Sequence, residues 1–150
     1  KIIDAMLLAA GVALIMEQKA SIAGAVGGCQ AETGTAAAMG AASIVYCLGG
    51  NTDQVFNAVA ITVQCMLGLV CDPVAGLVQI PCIERNAFAA ARAVDASVYS
   101  LLSDGLHLVS FDRVVAAMNQ TGHDIPPIYK ETALGGLARV FDKPFNNPSL

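Results

Sequence analysis

The uneven distribution of charge constrains this chain more than any other feature of its sequence. The 64 residues between Lys19 and Glu84 carry only three charged side chains, Glu32, Asp53 and Asp72, and all three are acidic. So little polar surface indicates segments that are covered on all sides, either by this domain or by a partner. Because 55% of the 150 residues are hydrophobic and only 13% are charged, the chain is not a disordered segment.

The same composition excludes two classes of partner. A net charge of −4 without a cluster of Lys and Arg argues against nucleic-acid binding. The most apolar run, residues 5–16, is shorter than the roughly 18–20 residues that span a bilayer, and the uncharged residues 33–52 are diluted by Gly, Thr and Ser, so we expect no membrane insertion. The length suits one domain. A start at Lys1 without a signal peptide predicts that the chain is part of a larger protein.

Apolar spacing predicts an all-α fold. The expected helices cover residues 2–19, 30–48, 51–67, 83–102 and 110–120, with a short one starting near Pro126. Residues 21–28 and 68–82 are predicted to be loops rich in Gly or Pro. Strand-like alternation is limited to residues 77–80, and the tail, residues 141–150, is expected to be extended or poorly ordered.

Five cysteines divide into two groups. An odd number, in a chain without a secretion signal, favours a reduced cytoplasmic setting. Cys47 and Cys65 fit an apolar helical pattern and are predicted to be small buried hydrophobes. Cys29, Cys71 and Cys82 lie beside Gly or Pro at loops or junctions, and two of them precede helices, where the dipole is expected to lower a thiol pKa. Their spacings match no zinc-finger or ferredoxin pattern, so metal-bound and metal-free thiols both stay open.

Several polar residues near these cysteines have two interpretations each. Glu32 could face a metal site or complement the start of a helix. Asp72 could orient a substrate or close an Asx-type turn. Arg85 could hold a substrate carboxylate through a bidentate contact or form a salt bridge. His107 and His123 are isolated and are expected at the surface.

Three stretches of sequence carry a family resemblance. They are "SIAGAVGGCQAETG" at residues 21–34, "MLGLVCDPVAGLVQIPCIERNA" at residues 66–87 and "YKETALGGLA" at residues 129–138. In this order they resemble the C-terminal part of the α subunit, or catalytic domain, of the iron–sulfur-dependent L-serine dehydratases. The middle stretch is long and specific, and the likeness covers about residues 1–140.

The resemblance implies a helical catalytic domain whose Gly- and Pro-rich loops present three cysteine ligands to a 4Fe-4S cluster. Matched by motif, the ligands are Cys29, Cys71 and Cys82. The implied reaction removes water from L-serine, and the aminoacrylate then gives pyruvate and ammonia, with the open iron as a Lewis acid for the hydroxyl. No pyridoxal phosphate is expected, because no lysine lies in a motif resembling that cofactor's site. A sample purified in air is expected to lose the cluster.

The chain also departs from the family pattern. Gln64 and Cys65 stand where many members carry a Glu-His pair, and a Glu often found near Val26 is missing, so the catalytic base is unassigned. The tail lacks the cysteine with which some members end, which favours a two-subunit form or a divergent terminus. The roles of Thr132, Gly135 and Gly136 in the last motif are not readable.

The expected partners follow from the same resemblance. They are L-serine, the remaining half of the catalytic domain, a regulatory β domain or subunit, and further copies of the chain in a homo-oligomer. The isolated segment is therefore expected to be inactive. Two alternatives stay open: a related cluster-dependent lyase acting on another small amino acid such as cysteine, and a structural helical module whose thiols bind zinc or no metal.

Overall fold

The computed structural model describes residues 1–141 and shows the predicted all-α fold. Its helices are α1 (Ile2–Lys19), α2 (Gly24–Gly27), α3 (Cys29–Cys47), α4 (Thr52–Gln64), α5 (Cys82–Leu101), α6 (Phe111–Asp124) and α7 (Gly136–Val140). Two short 3₁₀ turns, Val74–Gly76 and Pro127–Tyr129, lie in the connections before α5 and after α6. Within the described part, no helix is both long and apolar enough to cross a membrane.

Helix α3 is the centre of the fold. It packs most extensively against α1, α4 and α5. Small side chains on α3, including Ala38, Ala41 and Ala42, are fully buried, and this lets the neighbouring helices approach closely. Because α3 begins at Cys29, the most buried helix of the molecule also carries one of the candidate ligands.

The outer helices bury only one face. On α1 the buried residues are Ala5, Ala9, Val12 and Met16, which recur at helical spacing toward α3. The opposite face of α1 leaves large apolar side chains exposed, among them Ile2, Ile3, Met6 and Leu7. Leu48, Leu77 and Val78 are exposed too, so the low charge of residues 20–83 does not correspond to complete burial within residues 1–141.

The helix ends follow local sequence rules. Asn51 and Gln54 form a capping box, in which the Asn51 side chain accepts from the Gln54 backbone N–H and the Gln54 side chain accepts from the Asn51 N–H. The Ser110 hydroxyl caps α6. These caps satisfy backbone donors that have no partner within the helix, and they confirm the two predicted starts.

Several predicted boundaries were wrong. The loop at residues 21–28 contains the short helix α2, and α4 ends at Gln64 rather than near Leu67, before a turn at Gly68. Helix α6 continues to Asp124 instead of stopping near Gln120. Residues 77–80 form turns rather than a strand. The predicted tail lies, apart from its first residue, outside the described residues.

Candidate metal centre

Three buried cysteines come from three separate parts of the chain. Cys29 is the first residue of α3, Cys71 lies in the connection between α4 and α5, and Cys82 is the first residue of α5. Their exposed fractions are 2%, 3% and 7%, and all three are free thiols. The cysteine positions singled out from the sequence are therefore the buried ones.

Electrostatic coupling shows that these three thiols are neighbours. Burial raises the pKa of the Cys71 thiol to about 12, and nearby Cys29, Glu131 and Cys82 add to the effect. Burial and then Cys29 also raise the pKa of Cys82, which the Arg85 guanidinium offsets only in part. The expectation that a helix start would lower the pKa of Cys82 is wrong, because burial and then the Cys29 thiol raise that pKa.

The cysteines do not form a site for a single ion. Among residues 1–141, no group of three His, Cys, Asp or Glu side chains could hold a metal ion. A mononuclear site needs its ligands to converge on one point at about 2.0–2.3 Å, as for zinc. A cluster instead takes one thiolate at each ligated iron, so it requires thiolates around a shared volume. The three thiols are buried and interact electrostatically with one another.

One atom of Arg85 connects the segments that carry the cysteines. Its Nη1 donates to the Asp72 Oδ1 at 2.6 Å and to the Val70 carbonyl at 2.8 Å, and it lies 4.0 Å from the Cys29 Sγ. The Arg85 side chain is 22% exposed and that of Asp72 is 4% exposed, so this is a largely buried ion pair rather than a solvated one. Because Nη1 is already engaged, the proposed bidentate grip of Arg85 on a substrate carboxylate loses one of its donors.

Asp72 also holds the last motif of the chain. While Oδ1 accepts from Arg85, Oδ2 accepts from the Leu137 backbone N–H at 2.8 Å, at the start of α7. Gly136 lies so close that an added side chain would overlap the Asp72 carboxylate. Asp72 therefore orients protein groups through both of its oxygens, to Arg85 and Leu137, and does not close the Asx-type turn considered for it.

The backbone of Cys71 is fixed from a distant segment. Its N–H donates to the Tyr129 carbonyl at 2.8 Å, and its carbonyl accepts from the Glu131 N–H at 2.9 Å, which forms an isolated parallel bridge with Lys130. The last motif of the sequence is therefore a support for the loop that carries Cys71. Thr132 donates to the Ile128 carbonyl and stabilises the turn beside it.

Two carboxylates border the Cys71 thiol. The Glu32 Oε2, the Cys71 Sγ and the Glu131 Oε2 lie 2.9, 3.3 and 3.8 Å from the position that a Cβ of Gly24 would take. Both glutamates are exposed. Glu32 thus faces the thiols, as one of its two interpretations had it. Sequence reasoning missed Glu131, whose backbone lies in the left-handed region (φ 64°), a local strain that clusters at functional sites.

The remaining candidates lie apart from this arrangement. Cys47 is half-buried and Cys65 is exposed, so the prediction that Cys65 is a buried hydrophobe is wrong: it follows the last residue of α4. His107 is half-buried and bonds to the backbone of Val109. His123 is exposed and bonds to the Asn119 carbonyl.

A small cavity lies beside α2 and is lined in part by Val26 and Gly27. Its volume is about 130 Å³, and its polar lining comes from Ser21, Asn119, His123 and Lys130. None of the three buried cysteines lines it. The cysteine region is thus a packed centre, and the cavity is a separate feature of the surface.

Comparison with known proteins gives consistent matches. The family model described as serine dehydratase alpha chain matches residues 1–138. Similar proteins are an L-serine dehydratase of Mycobacterium tuberculosis (50% identical over 89% of this chain), one of Streptomyces coelicolor (52% over 88%) and the L-serine dehydratase TdcG of Escherichia coli (47% over 88%). The chain spans about 29% of the length of each relative. Those figures give no support to the expected C-terminal location of the segment.

Proposed function

This chain belongs to the serine dehydratase alpha chain family, and from that premise we propose that it carries the cluster-binding part of an enzyme that converts L-serine to pyruvate and ammonia. The observation that carries the proposal is the meeting of Cys29, Cys71 and Cys82 in one buried region. They come from three separate segments, and helix packing alone does not require three thiols from separate segments to lie together. The iron–sulfur dependence is part of the proposal.

The residues present fit a 4Fe-4S cluster held by Cys29, Cys71 and Cys82. An all-sulfur donor set suits iron–sulfur clusters or zinc, and the distribution of the thiols around a shared volume favours the cluster. Positive metal charge would offset the free-energy cost of burying thiolates beside one another, which is the cost that raises the pKa of Cys71 and Cys82. When bound, a cluster with one iron free of cysteine would supply a Lewis acid for the serine hydroxyl.

The side chains around the thiols divide the remaining work. Arg85 and Asp72 bind each other and fix the backbone around Cys71, so they position the ligands. Glu32 and Glu131 place negative charge beside Cys71 and remain exposed. We propose that these two carboxylates face the α-ammonium group of the substrate, which is the positive end of L-serine at neutral pH.

The remaining partners are proposed because the chain spans only part of the length of its relatives. Relatives are more than three times as long as the matched segment, and α1 and α5 expose large apolar side chains such as Ile3 and Phe88. We propose that the rest of the catalytic domain, a regulatory β part or a second copy covers them. The five cysteines include three buried free thiols, which suits a reduced cytoplasmic setting.

The test is anaerobic reconstitution of the intact protein with iron and sulfide. We expect a broad iron–sulfur absorbance, with iron and sulfide bound, in the wild type, and loss of both in Cys71→Ala. Cys47→Ala is the matched control, because its thiol is half-buried and lies outside the centre. Zinc at one per chain without iron or sulfide would support the structural-module alternative. Unchanged absorbance in Cys71→Ala would contradict the ligand assignment.

Two further measurements separate the remaining alternatives. A substrate panel of L-serine, L-threonine and L-cysteine on the intact loaded enzyme distinguishes an L-serine lyase from a related lyase. We expect the highest kcat/KM for L-serine. The isolated 150-residue segment is expected to form no pyruvate, because the rest of the catalytic domain is absent, and detectable pyruvate from it would contradict this.

A further inference from the structure

We propose that Arg85 is a positioning residue, which ties the three cysteine-bearing segments together and holds its positive charge beside the Cys29 sulfur. This inference rests on the proposed function, since it assigns the group that organises the cluster ligands. It goes beyond the ligands themselves. Groups around a metal site orient its ligands and tune the metal, and their loss typically weakens metal binding by about 10–100-fold.

The first support is where Arg85 sits and what it reaches. Arg85 is in the first turn of α5, three residues after Cys82, so the two side chains share a face of the helix. From there its Nη1 reaches the Val70 carbonyl, which precedes Cys71, and the Sγ of Cys29. The Arg85 Nη1, which belongs to the Cys82 segment, therefore contacts both the Cys29 segment and the Cys71 segment.

The second support is burial. A solvated salt bridge would leave the guanidinium in water, where ion pairs contribute about 0–1 kcal/mol. Here the Asp72 carboxylate is 4% exposed and is bonded at both oxygens, to Arg85 and to the Leu137 N–H. Removing Arg85 would leave a buried carboxylate short of its counter-ion, which proteins tolerate poorly. Asp72 thus holds the Arg85 guanidinium where its Nη1 also contacts the Val70 carbonyl and the Cys29 sulfur.

The third support is charge. The neighbourhood contains three thiols and the carboxylates of Asp72, Glu32 and Glu131. The Arg85 guanidinium lies among these groups, 2.6 Å from the Asp72 carboxylate and 4.0 Å from the Cys29 sulfur. A permanently charged guanidinium beside ligand sulfur favours the anionic form that binds metal. An N–H donor to a ligand sulfur is also one of the protein features that sets a cluster's reduction potential.

The experiment compares Arg85→Met and Arg85→Lys with Arg92→Met in the intact, anaerobically reconstituted protein. Arg92 lies on the same helix, is half-exposed and is 4.0 Å from Asp95, so it is a matched control. We expect Arg85→Met to lose iron to a chelator at least about tenfold faster than the wild type. Its reduction potential should be more negative and its electron paramagnetic resonance spectrum altered. Arg85→Lys should restore part of the retention, because it keeps the charge but not the planar fork.

A second readout does not depend on the cluster. In the metal-free intact protein, Arg85→Met should expose the buried thiols, so that they react several-fold faster with an aromatic disulfide reagent than in the wild type or in Arg92→Met. The proposal is overturned if Arg85→Met retains iron, has a reduction potential and shows a thiol reactivity all equal to those of the wild type. If the wild type takes up no cluster, the proposed function fails, and the thiol assay still decides whether Arg85 organises the three segments. If Arg85→Met does not fold, Arg85→Lys provides the same comparisons.

Discussion

Replacing Gly28 by Ala tests how strictly the fold places the candidate ligand Cys29. Gly28 has φ 77° and ψ −178°, a region that is essentially limited to glycine. An added Cβ would lie 2.6 Å from the Leu69 carbonyl oxygen, a backbone atom that also accepts from the Gln30 N–H at 3.1 Å. The nearest atom is therefore backbone, whereas the next, the Ile125 Cδ1 at 3.2 Å, is the end of a flexible side chain.

The expected cost has two parts. Placing Ala in this backbone region costs about 1–3 kcal/mol. Moving Leu69 away breaks its hydrogen bond to Gln30, which costs about 1 kcal/mol more. The control is Gly49→Ala, because Gly49 also has a positive φ (87°) but has open space around its Cβ position, so only backbone strain of about 1–2 kcal/mol applies.

Thermal unfolding followed by circular dichroism measures the difference. The two variants differ by about 1–2 kcal/mol, so at about 2–4 °C per kcal/mol for a chain of this size Gly28→Ala should unfold roughly 2–8 °C below Gly49→Ala. The Cys29 thiol should also react faster with an aromatic disulfide reagent in Gly28→Ala. Equal unfolding midpoints for the two variants would refute the reasoning that the Leu69 carbonyl confines this backbone.

Three further outcomes follow from the same contacts. Gln30→Leu should lower the free energy of unfolding in urea by about 2–4 kcal/mol, because it leaves the Met118 carbonyl and the Gly68 N–H without their buried partner; a change below 0.5 kcal/mol would contradict this. Glu131→Gln should raise KM for L-serine several-fold with a smaller effect on kcat, whereas Glu17→Gln at the exposed end of α1 should leave both unchanged. Metal-free protein should unfold at a lower urea concentration at pH 10.5 than at pH 8. The pKa of Cys71 is about 12 in the folded protein and 9.0 in its ordinary state, so the thiol stabilises the fold while it is protonated. This stabilisation is complete below pH 9 and is lost as the pH rises toward 12. Cys71→Ala should reduce that pH difference, and an unchanged difference would argue against it.

The existence of most helices could be predicted from apolar spacing because each buries one face against a neighbour. Their ends could be predicted where a short-range cap sets them, as at Asn51 and Ser110. The short helix α2 could not, since residues 24–27 contact α3 and α6 across the fold. The end of α4 could not either, because the turn after it is bonded from the Gly68 N–H to the distant Gln30 side chain. Local patterns carry no record of such contacts.

The candidate site was predictable to a different degree. The three buried cysteines stand out because each lies within two residues of Gly or Pro in a quoted motif, and the structure brings them together. The part played by Glu131 depends on the pairing of Cys71 with residues 129–131, which are about 60 positions away. The sign of the pKa shift at Cys82 was mispredicted because the helix dipole is a local effect, whereas burial and a distant thiol are properties of the folded chain.

The position of Cys29 at the end of the central helix limits which substitutions the helix can tolerate. A helix is a stiff rod, so a methyl group added or removed along its alanine-lined length tilts or slides the end that bears the sulfur. Substitutions at Ala38 or Ala41, far from any chemistry, can therefore mimic defects of the centre itself. Evolutionary drift in the interior of such a protein is limited by the placement of Cys29 as well as by stability.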